Sequence, residues 1–93
     1  MIHVLIERHI AEGMISTYEV NSREALRHTY SVPGFIAGEA LTDFHDDHHQ
    51  LLFCKWRSLD DWQNWYNSDE RHQLMNLIAP ILQQPEKITL LHH

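Results

Sequence analysis

Residues 60–72 read DDWQNWYNSDERH. Trp62 and Trp65 stand three apart, and Trp62 and Tyr66 four apart, so on a helix Trp62 is a surface neighbour of both. Trp56 lies just upstream. Large flat side chains in this pattern can wall an apolar cavity and stack on a planar ring. A helix that packs on a sheet uses the same spacing, so the four residues read either as a ligand wall or as core. Two further residues bring polar chemistry. Arg8 interrupts an otherwise apolar strand face, where a cation needs a partner or a cavity. It reads as a stabiliser of a substrate anion, or as one half of a salt bridge to Asp69 or Glu70. His72 is a candidate general base, since histidine is the residue type suited to proton transfer near neutral pH. Between Arg71 and Gln73 it reads equally as a solvent-facing helix residue. Together these residues could supply an apolar cavity, a proton acceptor and an anion stabiliser. No glycine-rich phosphate loop is present, so neither nucleotide nor flavin is expected.

The elements that must position these residues follow from the spacing of apolar side chains. In residues 2–10, IHVLIERHI, the residues Ile2, Val4, Ile6 and Ile10 share one strand face and His3, Glu7 and His9 the other, with Leu5 and Arg8 as exceptions. Gly13 marks a turn. Met14, Tyr18, Ala25 and Thr29 then recur near helical spacing, and Leu26 adjoins them, which predicts a helix over 14–29. Val32-Pro33-Gly34 is a break. Residues 35–44 and 49–57 predict two strands of a hairpin joined across HDDH. Ser58 with Asp61 is a capping box, and Asn67 with Glu70 repeats it, so two helices meet at an angle. Leu74, Leu77, Ile78, Ile81 and Leu82 form an apolar stripe that Pro80 kinks and Pro85 ends. Residues 86–91, EKITLL, predict a last strand.

The order β-α-β-β-α-β predicts a ferredoxin-like α+β fold, a four-stranded antiparallel sheet with helices on one face. Residues 1–93 are read as one domain. In the third strand Leu52, Cys54 and Trp56 point one way and Leu51 and Phe53 the other, so both faces are apolar where helices can cover only one. The second face is expected to meet a second copy of the chain, giving a homodimer. Lys and Arg number 7 against 13 Asp and Glu, a net charge of −6. That balance argues against nucleic acid and anionic membrane as partners. No apolar run is long enough to span a bilayer. A single cysteine, Cys54, and the lack of a leader-like start suit the cytoplasm.

Two polar groups stand apart from the aromatic cluster. Glu7 and His9 share a strand face, either as a base and its orienting partner or as interface residues that tune assembly with pH. His45, Asp46, Asp47, His48 and His49 are residue types that bind Zn²⁺ or Ni²⁺. They read as a hairpin tip without the fixed geometry of a site, and no physiological metal is expected.

The chain resembles the antibiotic biosynthesis monooxygenase domain family. The resembling stretches are IERHI with Gly13, PGFIAGEAL (33–41), KWRSLDDWQNWYNSDER (55–71), and IAPIL ahead of EKITLL (78–91). The resemblance implies a dimeric α+β barrel, in which two sheets pack together with the helices outside. Some relatives oxygenate polycyclic phenols without a cofactor, others degrade haem, and many have no assigned reaction. The resemblance singles out Trp65, which matches a tryptophan that relatives use. The haem-degrading branch adds a first-strand asparagine and a histidine ten residues after the tryptophan. Here the first strand has no asparagine and Met75 stands at the histidine position, with His72 three residues earlier. The expected function is therefore cofactor-independent oxygenation of a small aromatic or quinol-like molecule. The alternative is a non-enzymatic dimeric binding or regulatory module, with haem degradation a distant third.

Overall fold

The computed structural model describes residues 1–93. Its elements run β1 (Ile2–His9), α1 (Ile15–Thr29), β2 (Phe35–Asp43), β3 (Asp46–Trp56), α2 (Leu59–Tyr66), α3 (Asp69–Ile78), a 3-10 turn (Ala79–Ile81) and β4 (Lys87–Leu91). All strand pairs are antiparallel, in the order β2-β3-β1-β4. This is the expected βαββαβ plan. Strand periodicity sends Val4, Ile6 and Arg8 of β1, Ile10 just beyond it, and Leu52, Cys54 and Trp56 of β3 inward, and all seven are buried. Trp62 and Trp65 of α2 close over the strand residues to form the main core. Tyr18, Ile78 and Ile81 pack with Ile10 in a second cluster at the other end of the sheet. The opposite sheet face carries Leu5, Glu7, His9, His49, Leu51 and Phe53, each only partly buried.

Three local expectations need correction. The third strand starts at Asp46, not near residue 49, and the hairpin turn is only Phe44-His45, with Asp43 paired to Asp46. Polar side chains bonded across the strands carry the ladder through HDDH: His49 Nδ1 lies 2.8 Å from Asp43 Oδ2, and Asp43 Oδ1 accepts from the His45 amide. The second capping residue is Ser68 rather than Asn67. Ser68 Oγ accepts from the Arg71 amide at 3.1 Å, while Asn67 closes α2 by donating from its own amide to Gln63 O. Leu77 is exposed, because the buried edge of α3 runs through Arg71, Leu74, Met75 and Ile78 and leaves Leu77 about 100° away on the helix wheel. Pro80 does interrupt the helix, and the chain continues as the 3-10 turn.

The turn between α1 and β2 places α2 against the sheet. Gly34 has φ +87°, in the left-handed region, and a Cβ there would overlap the Asp61 side chain of α2. Asp61 cannot retreat easily, since Arg57 Nε and Ser58 Oγ both donate to its Oδ2 at 2.9 Å. Gly34→Ala is therefore expected to cost about 2–4 kcal/mol, combining backbone strain with the overlap. Urea denaturation measures it, and a loss under about 0.5 kcal/mol would show that α2 shifts freely.

Candidate active site

Between the helices and the sheet lies a cavity of about 40 Å³. Its wall includes Arg8 of β1, Cys54 and Trp56 of β3, Trp62 and Trp65 of α2, and Arg71 of α3. Apart from the two arginines the lining is almost wholly apolar or aromatic. The space suits water or dioxygen; a fused aromatic ring needs more room.

The polar chemistry of the wall is an Arg-Glu-Arg bridge. Arg8 Nε donates to Glu86 Oε2 at 2.9 Å, and Arg71 Nη2 donates to Glu86 Oε1 at 2.5 Å. Arg8 Nη1 also donates to the Tyr18 hydroxyl at 3.1 Å. The Arg71 guanidinium sits 5.0 Å from the Tyr66 ring centre and 5.8 Å from Trp62. Both arginines are buried, and one carboxylate serves two cations, which leaves an excess positive charge beside an apolar space. Burial opposes charge on Arg8, but Tyr18 and Glu86 outweigh it and hold the pKa above its ordinary value. Burial likewise opposes charge on Glu86, and the two guanidiniums overcome it, holding the carboxyl below the usual range.

The tryptophans form a connected wall. Trp56 and Trp62 meet edge to face at 5.8 Å, and Trp62 and Tyr66 lie 5.7 Å apart. The Trp56 indole N–H is buried and has no acceptor, a condition that costs about 1–3 kcal/mol. Burial pushes the Cys54 thiol up to about 11, with Arg8 and Arg71 only partly opposing it. Roughly one thiol in a thousand is then ionised at pH 8, so Cys54 is expected to resist a thiol-disulfide reagent in the native chain and to react on unfolding. Labelling of native protein at the rate of an exposed cysteine would contradict this burial.

Of the six site residues expected from sequence, Arg8, Trp56, Trp62 and Trp65 come together at the cavity. Tyr66 is 44% exposed and sits outside it, bracing Arg71 and Trp62. His72 is exposed on the outer side of α3 and does not reach the cavity, because the inward positions of that helix are Arg71, Met75 and Ile78. The carboxylate that holds Arg8 is Glu86, neither Asp69 nor Glu70. Glu70 instead bonds His28 at 2.7 Å, since adjacent residues at a helix start point in different directions from Arg71. Glu7 and His9 lie on the other face of the sheet, where Glu7 Oε1 is 3.3 Å from His49 Nε2 and the His9 and His49 rings stack at 4.6 Å. Of the histidine-aspartate run, Asp46, Asp47 and His48 bring one ligand atom each within 4.8 Å of one another. His45 is not in that group, and His49 is held by Asp43 and Glu7.

Sequence reasoning missed Glu86 and Tyr18; for Arg71 it offered either an anion stabiliser or an anchor of the helix start to a carboxylate from elsewhere, and Glu86 is that carboxylate. The usable signal was a balance of charge. Two arginines at buried positions of a helix and a strand require a buried acid, and Glu86 sits where β4 enters the sheet beside β1.

Comparison with known proteins gives a consistent result. The model of the family described as antibiotic biosynthesis monooxygenase matches residues 1–77. A solved antibiotic biosynthesis monooxygenase superposes with a TM-score of 0.90 at 19% identity, covering 100% of this chain and 98% of that one. A Pseudomonas aeruginosa protein gives 0.85 at 18% identity, covering 99% and 92%. SnoaB, a cofactor-independent oxygenase from Streptomyces nogalater, gives 0.85 at 12% identity, covering 99% and 92%. At these identities the likeness speaks for the fold alone. No curated protein matches the chain in sequence.

Proposed function

The chain belongs to the antibiotic biosynthesis monooxygenase family, and from that premise we propose that it oxygenates a small phenolic or quinol-like aromatic without a cofactor, as a homodimer. The observation that carries the reading is the pair of buried arginines sharing one carboxylate at the edge of a tryptophan-lined cavity. A phenol or enol brought beside that excess charge ionises more readily, and its anion is stabilised where it forms. The proton passes to water, so no side-chain base is required and the exposed His72 has no part. The anion gives an electron to O₂, the two radicals combine to form a C–O bond, and loss of water breaks the O–O bond. An activated CH₂ thus becomes a carbonyl, with one oxygen atom in the product and the other in water. The partly buried Leu51 and Phe53 support assembly of two copies through the open sheet face.

A second reading, a binding module without turnover, draws on the small size of the cavity. Oxygen uptake separates the two. The enzyme reading expects protein-dependent consumption with anthrones, with one O₂ used and one water released for each CH₂ converted to a carbonyl. Binding of these compounds with uptake no faster than the buffer rate leaves the module.

A further inference from the structure

Trp65 has a second neighbour besides the cavity. On its outer side lies a surface groove of about 420 Å³, formed where the end of α1, the Val32-Pro33 turn, α2 and the start of α3 meet. Its polar lining includes His28, Asp61, Asn64, Ser68 and Glu70, and Trp65 is the residue common to groove and cavity. The indole is therefore a partition one side chain thick. The bond between His28 and Glu70 ties α1 to α3 beside it, with the His28 ring 6.3 Å from Trp65.

The two compartments differ in size and sign. The inner one is too small for a ring and has two cations at its wall. The outer one falls within the ordinary volume range of ligand pockets, and the acidic side chains at its wall are Asp61 and Glu70. Asp61 is engaged by Arg57 and Ser58, but Glu70 is exposed and bonded only to His28, and no hydrogen bond occupies the Asn64 amide. A ligand spanning both compartments would meet positive charge at its buried end and acceptors at its outer end.

We propose that the groove is the outer half of the ligand site and that Trp65 turns aside to join it to the cavity. Its ligand is an aromatic with an acidic hydroxyl at one end and an amine or other hydrogen-bond donor at the far end. This rests on the aromatic-ligand reading above and adds the orientation of the ligand and its route inward. The acidic hydroxyl enters toward Arg8 and Arg71, the ring takes the place of the displaced indole, and the donor stays outside near Asn64 and Glu70. A ligand with an anion at the far end is disfavoured by Glu70.

Two bicyclic probes test the polarity, 5-amino-1-naphthol and 5-hydroxynaphthalene-1-sulfonate, with binding measured by titration calorimetry. The amine is expected to bind at least tenfold more tightly than the sulfonate. Glu70→Lys, a change at an exposed side chain, is expected to reverse the order. A ratio within twofold in both proteins would overturn the groove assignment while leaving an aromatic site intact. Failure of both probes to bind at millimolar concentration would overturn the aromatic reading itself. With 5-fluorotryptophan incorporated, the Trp65 fluorine resonance, assigned by its loss in Trp65→Phe, is expected to shift on saturation with the aminonaphthol. A resonance that stays in place while the probe binds would rule out the moving partition.

Discussion

Glu86→Gln is expected to destabilise the fold by about 3–5 kcal/mol, a large part of the margin available to a domain of this size. Glu86 accepts from two guanidiniums that are themselves buried, so a neutral amide leaves both cations without their shared anion. Glutamine also turns one of the accepting oxygens into a donor that faces an arginine. The thermal midpoint should fall by at least about 12 °C at roughly 4 °C per kcal/mol. The same substitution changes the acid limb. The folded-state pKa of Glu86 lies below its ordinary value, so the unfolded chain binds the proton more readily. The stabilisation is complete above the unfolded pKa of about 4.3 and is lost as pH falls through the folded value. Wild-type stability should therefore decline more steeply than that of Glu86→Gln below about pH 4.3. Parallel acid limbs, or a midpoint loss of only a degree or two, would mean that the bridge contributes little.

Arg8→Gln is expected to separate stability from chemistry. Glu86 keeps Arg71 as a partner in this variant, so no buried ion is stranded and the fold should lose less than in Glu86→Gln. The excess charge at the cavity wall disappears, however, since one cation then faces one anion. If that charge stabilises the substrate anion, the oxygen-uptake rate should fall by about 10²–10³. The remaining activity should need a higher pH, because the substrate must then ionise without help. An unchanged rate with an unchanged pH profile would remove Arg8 from the reaction and leave it as a structural ion-pair residue.

The frame of the molecule was legible because it depends on periodicity. Val4, Ile6 and Ile10, like Leu52, Cys54 and Trp56, alternate as strand residues must, and the short polar breaks fix the order of elements. The two-sided apolar character of β3 was equally plain. The hairpin was less so. HDDH looks like a loop by composition, and nothing in the residue types of Asp46, Asp47 and His48 shows that the strand runs back to Asp46. The site was legible in part. Trp62 and Trp65 follow from helical spacing, and Arg8 from its place on an apolar face. The partner of Arg8 did not follow, since Asp69, Glu70 and Glu86 are all distant in the chain and only the fold shows that β4 brings Glu86 beside β1. His72 left two readings open because residue type alone says nothing about which way a helix presents the ring, and its solvent-facing reading is the one the fold gives.

The long reach of Glu86 bears on how the chain can fold as the ribosome makes it. Arg8 is translated 78 residues before its counter-ion and Arg71 15 residues before it. β1 is the first strand made, yet it is an inner strand whose two neighbours, β3 and β4, come much later. A nascent chain lacking residue 86 would have to bring two unpaired guanidiniums into its core. The packed interior should therefore form only after β4 has cleared the exit tunnel, with helices and the β2-β3 hairpin appearing earlier as loose local structure.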